Sequence, residues 1–302
     1  MGIEVKTLNR WVSNKPTMQK DLKNEKKSFW ANPEVLENAD AVIHLAGANV
    51  ADPWTKAHKQ RILRSRIDGT TALIEAIAAC THPPKKLIST SAIGYYPDPS
   101  FEVLTEESHH SKSFLSQVCQ EWEKALYHHQ LPHTAISVVR VGLVLAKDSK
   151  IIQASAMSFL LSGTVTIVGS KKNMWSWIHI HDLSKLFISL ANGDIKSGIY
   201  NGVAPMPVQQ GQFGLCFEKY PVIGNTLPKP LRSLKEIARK INKLWFGLRV
   251  IVPNWAIKLM WGERAQIALT NQNVSAEKTI QAGFVFQYPN IELALIALSK
   301  ND

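Results

Sequence analysis

Over its first two-thirds this chain alternates short β-branched apolar runs with longer stretches of helical periodicity, and that alternation leaves few folds open. Parallel strands need crossovers of a dozen or more residues, and helices are the usual crossover, so the pattern predicts a doubly wound α/β sheet. Gly2–Leu8 reads as one strand, and Ala41–Ala46, apolar on both faces, as a buried parallel one. Ile62, Leu63, Ile67, Leu73, Ile74 and Ile77 fall at helical spacing and predict a crossover helix leading into a strand at Lys86–Thr90. Leu115, Val118, Trp122 and Ala125 mark a second helix, which Pro132 separates from a strand at Thr134–Arg140.

The pattern changes after about residue 205. Pro205, Pro207, Pro221, Pro228 and Pro230, with Gly211, Gly214 and Gly224, read as an irregular connector. Helical spacing resumes in Leu234–Leu244, Trp255–Trp261 and Ile291–Leu298, so the tail reads as a small, mainly helical domain. The expected division is residues 1–206 for the sheet domain, 207–240 for the connector and 241–302 for the C-terminal domain.

With 45% hydrophobic and 20% charged residues, the chain has the make-up of a globular protein. Apolar runs such as Ala135–Val139 and Val141–Ala146 are interrupted well short of the ~20 residues a membrane-spanning helix needs, and Met1–Arg10 lacks the plan of a secretory signal. A cytoplasmic location is expected, or an organellar matrix if a targeting segment precedes residue 1. Cys80, Cys119 and Cys216 are odd in number and far apart, which argues against a disulfide framework or a CxxC zinc site. His179 and His181 share a face of an extended run but have no third ligand at workable spacing, so no metal is expected. Asp182 reads as the N-cap of the helix that follows. The net charge of +11 is spread in short clusters without interleaved aromatics, which disfavours a nucleic-acid surface and suits an anionic small ligand.

Several motifs occur in a telling order: His44-Leu-Ala-Gly47, Ser65–Thr70, Ser89–Tyr96, Trp122-Glu123, Arg140–Leu145, Trp177–Leu183 and Tyr200–Pro205, then Val252–Trp255, Gly262–Ala265 and Ala282–Pro289. In this order they resemble the epimerase family of extended short-chain dehydrogenase/reductases. The resemblance implies a Rossmann-like fold, NADP as cofactor and a small-molecule substrate. Two departures stand out. The family's first strand and Gly-rich turn, whose amides hold the cofactor pyrophosphate, have no counterpart, because Gly2, Gly47, Gly69 and Gly94 are the only glycines before residue 100. The chain reads as beginning one strand and one helix late, as a truncated isoform would. The stretch from about Gln209 to Lys235 matches no family motif and is expected to pack loosely.

The resemblance also assigns residues. The superfamily's Tyr-x-x-x-Lys pair would stand at Leu115 and Cys119, neither of which can move a proton for a carbonyl. Ser91 matches the superfamily's substrate-binding hydroxyl and is the catalytic candidate, with Tyr95 and Tyr96 as substitute proton donors. Arg10, beside Asn9, stands where relatives selecting NADP hold the 2′-phosphate. Leu45, Ala46, Arg66 and Leu143, and more weakly Arg61, complete the cofactor-binding set, with Arg66 suited to phosphate. Three readings are therefore open: an NADP-dependent oxidoreductase or epimerase of unidentified substrate, a non-catalytic NADP sensor or interaction protein, or an isoform inactive through loss of the cofactor cradle.

Overall fold

A computed structural model describes Val5 and residues 33–100, 102–222 and 250–300. Its centre is a parallel sheet in the order β1 (Ala41–His44), β2 (Lys86–Ala92), β4 (Ala135–Val141), β9 (Ile199–Gly202). Successive residues of these strands enter opposite layers, as the pleat requires. Leu87 and Val138 pack with Leu73, Ile74 and Ile77 of helix α2 (Lys56–Ala78) and with Leu126, which follows α3 (Phe114–Ala125). Ile88 and Val139 pack on the other face against Leu183, Leu186, Phe187 and Leu190 of α5 (Ile180–Asn192). Both faces are thus covered, the condition under which an all-parallel sheet is stable.

The crossover helices begin where side chains cap them. Thr55 caps α2 by accepting from the His58 N–H at 3.1 Å, and Ser113 caps α3 by accepting from the Ser116 N–H at 3.2 Å. Both helices therefore start at the carboxyl edge of the sheet. Smaller pairings attach the rest: β3 (Val103–Leu104) with β12 (Asn273–Val274), β5 (Leu143–Leu145) with β8 (Trp177–His179), and β6 (Ile167–Val168) with β11 (Ile251–Val252), all parallel. β7 (Met174–Trp175) and β10 (Val208–Gln209) are antiparallel. A second core joins α4 (Lys150–Ser162), α6 (Gln210–Lys219) and the C-terminal helix Ile291–Ser299 around Trp177, Phe159, Phe213 and Phe217.

Three expectations need correction or bounding. The connector expected from residue 207 is regular structure over its first part, because β10 and α6 bury Val208, Phe213 and Phe217 to 2% exposure or less. Gly211 and Gly214 sit inside α6 rather than breaking it. A Cβ on Gly211 would stand 3.0 Å from Lys171 Cβ, so the missing side chain serves a close approach. Residues 223–249, including the helix expected at Leu234–Leu244, lie outside the described residues. Of the strand expected at Gly2–Leu8 only Val5 is described, and it is exposed and in no strand. The tail is mainly helical, with α7 (Asn254–Trp261), α8 (Ala265–Ala268), α9 (Glu277–Gln281) and α10 (Ile291–Ser299), as expected. Its two strands β11 and β12 pair with β6 and β3 of the preceding region.

Candidate functional site

The parallel register brings Ser91, Arg140 and Asn201 to one level of β2, β4 and β9, at the carboxyl edge of the sheet. Arg140 is 3% exposed, and a charge so placed needs a partner. Glu123, one turn beyond Cys119 on α3, supplies it in bidentate form: Nε donates to Oε1 at 3.0 Å and Nη2 to Oε2 at 2.8 Å. Burial alone would lower the Arg140 pKa, and the hydrogen bonds and charge of Glu123 outweigh it and hold the guanidinium cationic. Arg140 Nη1 donates to the Tyr96 hydroxyl at 3.0 Å, which donates in turn to Asn201 Oδ1 at 2.7 Å. Burial pushes the Tyr96 phenol up to about 12, against the opposing pull of Arg140.

Ser91 enters this network at its end: its Oγ donates to Glu123 Oε1 at 2.6 Å. The hydroxyl is 3% exposed with its residue and committed to a carboxylate that already serves an arginine. Cys119 lies beside it, its Sγ 3.6 Å from the Ala92 carbonyl, with burial and the Glu123 charge pushing the thiol up to about 11. Leu115 faces Gly94, where an added Cβ would stand 3.3 Å from its own Cβ. Tyr95 differs from Tyr96. It is half-buried, its ring lies 3.6 Å from Arg140 Cζ, and its hydroxyl has no hydrogen-bond partner among the described residues.

The cofactor-side candidates divide. Leu45 and Ala46 follow β1 directly and are exposed along the carboxyl edge. Arg66 reaches back to the same place from α2. Its Nη1 donates to the Ala48 carbonyl at 3.1 Å and its Cζ lies 4.8 Å from the Trp122 ring centroid. A Cβ on Gly47 would stand 2.9 Å from that Cζ, so the guanidinium rests on bare backbone. Burial lowers the Arg66 pKa, and burial with the Arg66 charge takes His44 down to about 4. His44 Nε2 is 3.0 Å from Thr70 Oγ1. Leu143 opens β5, its N–H donating to the Ser176 carbonyl at 2.9 Å, while Arg61 is exposed on α2. Asn9 and Arg10 lie outside the described residues.

Sequence reasoning missed Glu123 and Arg140 as the organisers of this edge. The signal was present, since a charge ending the run Ala135-Ile-Ser-Val-Val-Arg140 in a buried strand requires a counter-charge. Asp182 is also corrected. The N-cap of α5 is His179, whose Nδ1 accepts from the His181 N–H at 3.1 Å. Asp182 lies in the first turn, fully buried, and its carboxylate accepts from the Gln287 and Tyr288 N–H groups at 2.9 Å each. Among the described residues no group of three or more His, Cys, Asp or Glu is arranged to hold a metal, and no helix is long and apolar enough to cross a membrane.

A doubly wound sheet with its polar residues gathered at the carboxyl edge is the architecture of dinucleotide-binding proteins. The sequence model of the NAD dependent epimerase/dehydratase family matches residues 4–201, and that of a domain of unknown function (DUF1731) matches residues 252–298. This chain belongs to the NAD dependent epimerase/dehydratase family. An epimerase family protein of Staphylococcus aureus (strain NCTC 8325) is 31% identical over 280 residues, 92% of this chain and 84% of the relative. The crystal structure of the human epimerase family protein SDR39U1 (isoform 2) with NADPH is 25% identical with a TM-score of 0.74, over 88% of this chain and 83% of that one. The nucleoside-diphosphate sugar epimerase of Corynebacterium glutamicum is 25% identical with a TM-score of 0.63, over 90% of this chain and 49% of that one.

Proposed function

We infer that this chain binds NADP(H) along the carboxyl edge of its sheet and does so without the tyrosine–lysine proton relay of its superfamily. The carrying observation is the state of the three groups such a relay needs. By the family resemblance Leu115 and Cys119 fall at the relay positions, the Cys119 thiol is buried, and the Ser91 hydroxyl donates to Glu123 at 2.6 Å. A hydroxyl held by an arginine-paired carboxylate is not offered to a substrate carbonyl. Binding is supported by the NADPH-bound human relative and by the Arg66 guanidinium lying over Gly47 beside Leu45 and Ala46. The role is that of a sensor or interaction protein.

Titration calorimetry with NADPH and NADH tests this. A charge-assisted hydrogen bond of ~1.5–3 kcal/mol is worth roughly ten- to a hundredfold in affinity, the loss expected for Arg66→Ala. Arg10→Ala is expected to weaken NADPH far more than NADH, because only NADPH carries the 2′-phosphate. Unchanged affinity in both variants would remove the proposed cofactor contacts.

Tyr95 favours a second reading, an NADP-dependent oxidoreductase or epimerase acting on a small carbonyl compound or nucleotide-linked sugar. Its free hydroxyl, with a guanidinium 3.6 Å from the ring, is placed to serve as the proton donor. That reading requires NADPH oxidation that Tyr95→Phe abolishes.

A further inference from the structure

A groove runs between the N-terminal turns of α2 and α3, beside the Gly262–Arg264 turn. This open groove offers about 490 Å³, a volume within the range of small-ligand sites. One wall is aromatic: the Trp54 and Phe114 rings meet edge to face with centroids 5.1 Å apart. Trp54 is fixed by its indole N–H, which donates to the Val50 carbonyl at 2.8 Å. Charged side chains line the same groove. Lys59 Nζ sits 4.6 Å over the Phe114 ring and 2.6 Å from Glu263 Oε2. Lys56 and Gln60 line the same space, and their side chains make no hydrogen bond or ion pair among the described residues.

We propose that this groove binds a planar aromatic monocarboxylate. Lys56, Lys59 and Glu263 together carry a net charge of +1, which matches a monoanion. The edge-to-face rings supply an apolar corner against which an aromatic ring can pack, and the uncommitted Gln60 amide supplies a hydrogen-bond donor beside the cations. Glu263 acts as an internal stand-in for the ligand: its carboxylate already occupies Lys59. The pair is a surface one, with side chains 30% and 67% exposed, so an incoming carboxylate competes with it at little cost. Arg264 Nη1 donates to the Ala51 carbonyl at 2.8 Å, which keeps the turn beside the groove while Glu263 is displaced.

The competition fixes the sign of the test, which uses the full chain and 2-naphthoate in titration calorimetry, with 2-naphthylmethanol as the uncharged isostere. Lys56→Gln should weaken 2-naphthoate and Glu263→Gln should tighten it, each by roughly two- to fivefold, the range of a solvent-screened charge pair. The alcohol should bind more weakly than the acid. All the substituted side chains are at the surface, and circular dichroism checks that each variant folds. No measurable heat with 2-naphthoate, equal binding of acid and alcohol, or a Glu263→Gln variant that binds no tighter than the native chain would each overturn the proposal.

Discussion

Removing the Glu123 carboxylate leaves Arg140 at 3% exposure with its bidentate partner gone, its Nη1 contacts to Tyr96 and the Glu106 carbonyl remaining. Stripping one member from a buried ion pair costs ~3–5 kcal/mol, because the surviving charge stays desolvated. Against a total stability of ~5–15 kcal/mol, that is a large fraction. With ~2.1 cal/mol/K of unfolding entropy per residue, a 302-residue chain shifts by ~1.6 °C per kcal/mol, so Glu123→Ala should lower the melting temperature by about 5 to 8 °C. Replacing both partners by apolar groups of similar volume removes the stranded charge as well, so Glu123→Leu with Arg140→Met should recover most of the loss. Thermal and urea unfolding followed by circular dichroism measure both. A single variant within ~1 kcal/mol of the native chain, or a double variant no better than the single one, would refute the reasoning.

Three further outcomes are expected. Phe217→Ala should cost ~3–5 kcal/mol, since the side chain is fully buried on α6, and a loss under ~1 kcal/mol in urea unfolding would return this stretch to the status of a loose connector. Asp182→Ala removes the acceptor of two backbone N–H groups at 2.9 Å, worth ~1.5–3 kcal/mol each, and should make the 284–290 stretch the first site of proteolysis; unchanged cleavage kinetics would contradict it. His44 and His179, both buried and taken down to about 4 from an ordinary 6.5, stay neutral in the fold while the unfolded chain takes up protons. Stability is then full above pH 6.5 and falls as pH drops from there toward 4, a fall that His44→Gln should roughly halve, with His179 still titrating, and that a pH-independent urea midpoint would exclude.

The strands at 41, 86 and 135 and the helices between them were legible because burial on both faces of a parallel sheet leaves near-continuous apolar runs. Alternation along the chain does not report pairing across it. Glu123 and Arg140 are 17 residues apart on a helix and a strand, and only the register of β2, β4 and β9 shows that Ser91 is drawn into their pair. Ser91 was expected to offer its hydroxyl to a substrate oxygen, and in the structure that hydroxyl donates to Glu123 Oε1 at 2.6 Å. The α6 error has a different cause. Gly211 and Gly214 count as breakers when tallied, yet within a helix they permit a close approach to Lys171 and Val165. Asp182 was misassigned by one turn, because the capping role had passed to His179, a residue outside the usual capping set.

The most direct measurement is the fate of NADPH when the chain is mixed with it and with a broad panel of small carbonyl compounds and nucleotide-linked sugars. Absorbance follows the cofactor's oxidation and calorimetry, in the same solutions, its binding. The account predicts binding heat that Arg66→Ala diminishes, with no oxidation above the protein-free rate. Oxidation that depends on the chain and disappears in Ser91→Ala or Tyr95→Phe would contradict it and show that the carboxyl edge carries out proton transfer.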